Sequence, residues 1–217
     1  MGSDHLPDLK SFTDRSISAR AVPNILNMKL KDNKKRKALF AATVKIVNKF
    51  GFASGTISKI ALEAKVSPGT IYVYFKNKED LLVSIYKEVK LELRDTMLSF
   101  FDESLPIRVI LKNAWRGLYQ YYADNPEFSL FIEQFENSPY NHLVDRETLD
   151  MHYDPFVHIL ERGVEQKIIK DADRKLLFAY MFNPLFHLAN PRYNQRLYLN
   201  DEEIELAFCM AWDAIKR

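Results

Sequence analysis

Thr56-Ile57-Ser58-Lys59-Ile60-Ala61-Leu62-Glu63-Ala64-Lys65-Val66-Ser67-Pro68-Gly69-Thr70-Ile71-Tyr72-Val73-Tyr74-Phe75 is the stretch that decides the fold. Its apolar period describes two short helices with a break between them. Ile57, Ile60, Ala61 and Ala64 share one helical face, and Thr56 stands where a hydroxyl N-cap is needed. Pro68 disfavours a helical Ser67 yet suits the first position of a new helix, so the spacing predicts a break at Val66-Ser67-Pro68 and a helix from about Pro68 to Phe75, capped by Ser67. Ile71, Tyr74 and Phe75 lie three and four apart and predict its inward face. Gly69, Thr70, Tyr72 and Val73 are left outside. Two short helices joined in this way are what a helix-turn-helix requires.

Upstream, Leu39, Ala42, Thr43, Ile46 and Val47 form one stripe on a helix that begins near Lys34 and ends at Gly51. Residues 1–28 show no clear period, carry Pro7 and Pro23, and are expected to be an N-terminal arm or leader. Their Lys10, Arg15 and Arg20 resemble a transit peptide only faintly, since Asp4, Asp8 and Asp14 oppose that assignment. Downstream, Lys76-Asn77-Lys78 interrupts the pattern. Glu79, Asp80, Leu81, Leu82, Ile85 and Val89 then open a long helix reaching about Phe101. After Pro106 the period is helical throughout, with boundaries at Asp124-Asn125-Pro126, Ser138-Pro139, Asp154-Pro155, Asp171 and Asn200-Asp201, which gives five further helices. No strand-like alternation between turns is present. The expected fold is all-α with about nine helices: a helix-turn-helix domain over residues 29–78 and a helical domain over 79–217.

Composition agrees with a helical globular chain: 217 residues, 47% hydrophobic, 28% charged, and only 6 Gly. Disorder, collagen and disulfide scaffolds are excluded. The single cysteine, Cys209, fits a reducing compartment, and no run of about 18 uncharged apolar residues exists to span a membrane. A soluble cytoplasmic protein with no membrane partner is expected. The net charge of +2 hides an asymmetry: residues 1–90 hold 17 Lys and Arg against 8 Asp and Glu, whereas residues 91–217 hold 14 against 21. A basic N-terminal part on an acidic remainder suggests that one end meets a polyanion.

The helix from Pro68 supplies chemistry for that polyanion. In a helix-turn-helix the second helix enters the major groove by its N-terminal end. Gly69 permits close approach, Thr70 can bond a base edge or phosphate, and the Tyr72 hydroxyl can donate to a phosphate oxygen. Lys78, at the start of the next helix, is placed to share a phosphate with the exposed N–H groups there. The run Lys29 to Lys37 adds a collective positive field.

Across residues 34–82 the sequence resembles the DNA-binding domain of the tetracycline-repressor (TetR) family of bacterial transcriptional regulators, whose signature V-S-x-G-T-[LI]-Y-x-Y-F-x-x-K-E-x-L-L is met from Val66 to Leu82. Two positions depart from it. Lys65 replaces the usual Gly of the inter-helix turn, where a left-handed conformation costs about 1 kcal/mol, and Ser58-Lys59 replaces a basic-acidic pair. The resemblance implies DNA contacts at Thr56, Ser67, Pro68, Gly69, Thr70, Tyr72 and Lys78, with Val73 adding apolar contact only. It also implies a homodimer on a double-stranded DNA operator and an effector pocket in the C-terminal helices.

Candidates for those two roles are available. Residues 91–190 hold 16 aromatics. Trp115, Tyr119 and Tyr122 share one helical face, and Phe128, Phe131 and Phe135 another. With Tyr153 and Phe156, Trp115, Tyr119, Tyr122, Phe131 and Phe135 are the expected lining for a small apolar or aromatic effector. A filled aromatic core is the alternative. For pairing, the stripes Leu177, Met181 and Leu188 on one helix, kinked by Pro184, and Ile204, Phe208, Ala211, Trp212 and Ile215 on the last helix are the expected interface.

An enzyme is the main rival. His152 and His158 are six apart, about 240° around a helix, and cannot share a metal as i,i+4 ligands do. No nucleophile elbow, paired-cysteine site or phosphate-binding glycine loop occurs, and Glu133 with Glu136 fits an exposed helix face. No cofactor, metal or catalytic residue is expected. The expected function is a ligand-responsive transcriptional regulator, a repressor released by its effector. The alternative is a DNA-tethered protein-interaction factor without a small-molecule ligand.

Overall fold

A computed structural model describes residues 21–145, 153–190, 192 and 199–217, with side chains described from residue 34 onward. Among the described residues there are nine α-helices and one 3-10 turn: α1 Ala21–Ser54, α2 Ile57–Glu63, α3 Pro68–Tyr74, α4 Lys78–Leu98, α5 Ile107–Asp124, α6 Pro126–Glu136, the 3-10 turn Pro139–Leu143, α7 Asp154–Glu165, α8 Arg174–Ala189 and α9 Asp201–Ile215. The five helices expected after Pro106 are all present.

The helix expected from Lys34 begins earlier, at Ala21, so residues 21–28 of the expected arm belong to α1. Residues 1–20 of that arm lie outside the described residues. Gly51 interrupts α1 with φ 73 and ψ 172, a conformation that a Cβ strains, and the chain turns there toward α2. The predicted stripe is buried: Leu39, Thr43 and Val47 are fully covered, and Ala42 and Ile46 nearly so. Thr43 is tolerated in this core because its hydroxyl donates to the Leu39 carbonyl one turn back, at 2.7 Å.

Caps follow the local sequence. Thr56 accepts from the Lys59 N–H at 3.3 Å, Asn77 from the Asp80 N–H at 2.8 Å, and Asn200 pairs reciprocally with Glu203 at 2.9 Å in a capping box on α9. Ser67 departs from expectation. Its hydroxyl makes no cap bond to the backbone and instead meets the Thr70 hydroxyl at 2.9 Å. In the turn before it, Lys65 adopts φ 56, the left-handed conformation expected at this position. α8 continues through Pro184 to Ala189.

One apolar core runs through the described helices. Phe52, after the kink in α1, meets Phe131 and Phe135 of α6, each at 6.0 Å, and Tyr86 of α4 stacks on Phe135 at 4.3 Å. Asn48 of α1 donates to the Glu127 carbonyl at 2.8 Å and accepts from the Gln134 amide at 3.1 Å. The three N-terminal helices are thereby fastened to α4 and α6.

Candidate DNA interface and effector cavity

α3 is anchored by Ile71, fully buried, and Phe75, nearly so, while Tyr74 packs half-buried at their edge. Its other face projects. Tyr72 is 57% and Val73 77% exposed, and Pro68 and Gly69 are exposed with them. Thr70 is half-buried, its hydroxyl held on Ser67. Thr56 is exposed at the start of α2. The residues expected to contact DNA therefore share one end of the molecule, with Thr56, Ser67 and Pro68 at helix starts.

Lys78 takes a second role that the sequence did not announce. Its ammonium donates to the Phe52 carbonyl at 2.5 Å, tying the start of α4 to the end of α1, and burial lowers its pKa, an effect that Glu79 opposes. Lys34, Lys35, Arg36 and Lys37 are exposed, although Arg36 pairs with Glu88 at 3.1 Å.

Two adjoining cavities lie in the C-terminal helices. The larger, about 710 Å³, is bounded by α4, α7 and α8, and the smaller, about 360 Å³, by α4, α5, α6 and α8. Lys90, Tyr153, Phe178 and Asn183 line both. Of the aromatics expected to line a pocket, Phe156 reaches the larger, Tyr122 the smaller, and Tyr153 both. Trp115, Tyr119, Phe131 and Phe135 are core residues outside either lining. Trp115 stacks on Tyr119 and donates through Nε1 to the Met181 carbonyl at 3.0 Å. The Tyr119 hydroxyl accepts from the Leu199 N–H at 3.2 Å. Phe178 borders both cavities and Phe182 the smaller, two lining residues that no feature of the sequence singles out.

That stripe requires correction. Leu177, Met181, Ile204, Phe208, Trp212 and Ile215 are buried inside the protomer and pack α8 and α9 against the remaining helices, whereas Ala211, buried, and Leu188, half-buried, also border an open groove along the two helices. The exposed apolar face is the opposite one: Leu176 and Tyr180 of α8, Leu206 and Met210 of α9, between 51% and 68% exposed. A groove of about 640 Å³ along it is lined by Tyr180, Pro184, Leu188, Ala207, Met210 and Ala211 among others. Helices α8 and α9 are apolar on both sides, so period alone could not tell core from surface.

Among the described residues no group of acidic, histidine or cysteine side chains could hold a metal, and no helix is long and apolar enough to cross a membrane. A projecting helix of small and polar residues on a helix-turn-helix, carried by a helical domain, defines a DNA-binding regulator. Comparison with known proteins agrees. Residues 39–85 match the family described as bacterial regulatory proteins, tetR family, and residues 106–216 match the tetracyclin repressor-like C-terminal domain. The crystal structure of a TetR-family transcription regulator from Marinobacter aquaeolei superposes with a TM-score of 0.80 at 30% identity, over 87% of this chain and 98% of that one. An HTH-type transcriptional regulator from Haemophilus influenzae is 25% identical over 179 residues, 82% of this chain and 94% of its own length. The crystal structure of a TetR-family regulator from the same organism shares the fold, with a TM-score of 0.73 at 24% identity over 86% and 99% of the two chains.

The chain belongs to the TetR family of transcriptional regulators, and it is a regulator rather than an enzyme. Operator binding and homodimerisation come with that membership as properties of the family.

Proposed function

We propose that the protein is a repressor that reads an operator with two copies of α3 and is released when a small apolar or aromatic effector occupies the cavity between α4 and α8. The observation that carries this reading is α3 itself: Ile71 is fully buried while Tyr72 and Val73 of the same helix project. Residues 29–78 act as the reading domain. Thr56, Ser67, Pro68, Gly69, Thr70 and Tyr72 meet bases and phosphates, and Lys78 positions the start of α4 beside the same backbone. Residues 79–217 bind the effector and pair the protomers.

The exposed face of α8 and α9 is the pairing surface we assign, since it alone leaves large apolar side chains on these helices uncovered. Two α3 helices then read half-sites one helical turn, or a multiple, apart. The effector acts on their spacing. Its cavity touches Lys90, Leu93 and Met97 of α4 and Ile132 of α6, and these helices hold Phe52 and Asn48 at the end of α1. A full switch requires the effector to prefer the released form by about 5.5 kcal/mol.

A DNA-tethered factor without a ligand needs no such cavity, whereas about 710 Å³ beside Tyr153 and Phe156 falls in the range of small-molecule sites and favours a sensor. Selection of bound duplexes from a random DNA library tests the reading. Enrichment of a two-fold symmetric site, lost on Tyr72→Ala, is the expected outcome, and recovery of no preferred sequence refutes it.

A further inference from the structure

The larger cavity is electrically lopsided. Lys90, Arg174 and Lys175 line it against one carboxylate, Asp154. Arg174 and Lys175 make no side-chain ion pair or hydrogen bond among the described residues. Both occupy the first turn of α8, where the helix dipole disfavours a cation and the capping Asp173 carboxylate, which accepts from the Lys175 N–H at 2.7 Å, offsets that only in part. An anion seated there turns the repulsion between Arg174 and Lys175 into attraction.

The rest of the wall has the opposite character. Phe156, Leu160 and Phe178 continue the surface inward, and Phe182 and Leu185 extend it through the adjoining cavity. At the far side stand Glu133 and Glu136, which already have partners. Glu133 accepts from Asn190 at 3.1 Å and pairs with Arg192 at 3.4 Å, while Glu136 accepts from the Tyr86 hydroxyl at 2.9 Å and lies 3.7 Å from the Lys90 ammonium. Those carboxylates repel an anion from that end. Charge and apolar surface thus fix one orientation, head at the start of α8 and tail toward α5 and α6.

Resting on the sensor reading above, we propose that the effector is an amphiphilic organic anion. Its carboxylate, or a group of like charge, sits at Arg174 and Lys175, and its aliphatic tail lies along Phe156 and Phe178 toward Phe182. Lys90 stands between head and tail, where an arriving anion competes with Glu136 for its ammonium. The occupant thereby touches the helix that begins at Lys78.

Isothermal titration and thermal melting with decanoate, decan-1-ol and decylamine, each below its aggregation concentration, test this without knowledge of the operator. Decanoate is expected to bind at least about tenfold more tightly than the alcohol, the equivalent of roughly 1.4 kcal/mol, with the amine weakest. Replacing Arg174→Gln and Lys175→Gln, both exposed, should leave the unliganded melting temperature level or slightly raised, keep the alcohol's affinity unchanged and erase most of the preference. Arg174→Gln alone should remove part of it. Decan-1-ol or decylamine binding as tightly as decanoate, or a preference that survives the double substitution, overturns the anionic assignment and leaves the sensor reading standing. Failure of all three compounds to bind overturns the amphiphile assignment, and the sensor reading then stands or falls on whether an aromatic probe stabilises the protein.

Discussion

Met210→Glu should convert the protein to a folded monomer. Met210 is 68% exposed on α9, beside Leu206 at 62%, with Leu176 and Tyr180 of α8 at 51% and 57%. Each of these side chains has roughly 100 Å² to cover, worth about 2.5 kcal/mol at about 25 cal/mol per Å², so four from each copy contribute on the order of 20 kcal/mol. Association costs about 4–15 kcal/mol, and the surplus allows a dimer at micromolar concentration. The glutamate removes about 5 kcal/mol of that area term per dimer, and desolvating a carboxylate in each copy costs several kcal/mol more. No surplus is left.

Light scattering should therefore give the 25.4 kDa protomer for Met210→Glu and twice that for the parent chain. Far-ultraviolet circular dichroism should be unchanged, because the protomer core does not use this side chain. Operator affinity should fall by roughly a hundredfold or more as the half-sites cease to be read together. Phe208→Ala is the contrasting case: Phe208 is fully buried against Trp115, and its truncation should cost the fold about 3–5 kcal/mol. A dimeric Met210→Glu variant, or a parent chain that is monomeric at micromolar concentration, refutes the assignment of this face.

Lys65→Gly should relieve a left-handed lysine at φ 56 worth about 1 kcal/mol, raising the melting temperature by roughly 2–4 °C in scanning fluorimetry. An unchanged or lower melting temperature counts against strain at that turn. Tyr72→Ala should weaken operator binding without lowering thermal stability, whereas Ile71→Ala, at a fully buried position, should cost about 2–5 kcal/mol of stability in denaturant titration. Equal destabilisation by both would place Tyr72 in the core.

Burial, reinforced by the hydrogen bond to Glu92, raises the Tyr121 pKa, and burial with the fields of Tyr153 and Glu136 raises that of Tyr122. A phenol whose folded pKa lies above its unfolded value of about 10 contributes stability that is complete below that pH and lost above it. Melting temperature should decline from about pH 10 upward, less steeply in Tyr122→Phe. Identical alkaline profiles for the two proteins would contradict the assignment.

The legible part of this molecule is its local part. Pro68 after Ser67, the cap at Thr56 and the turn at Gly51 act within a few residues, so α2, α3 and the end of α1 could be placed from the sequence. The inward set of α3 was equally readable, because Ile71, Tyr74 and Phe75 fall three and four apart on one face and leave Gly69, Thr70, Tyr72 and Val73 on the other. The candidate interface on α3 follows from that division alone.

Local sequence says less where both sides of a helix are apolar. Leu176 and Leu177, or Met210 and Ala211, are neighbours of similar hydrophobicity, and which of each pair is buried depends on where α5 stands. The same holds for the cavity: Trp115 and Phe131 fill the core while Tyr153 and Phe156 border open space. It holds also for Lys78, whose ammonium found the Phe52 carbonyl twenty-six residues away. Sequence by itself determined the helices, their ends and the projecting face of α3, because backbone bonding and period are short-range. Only the tertiary structure decided which apolar faces became core, which stayed exposed, and which cations came together at the mouth of a cavity, because packing and charge act between segments that the chain order does not bring together.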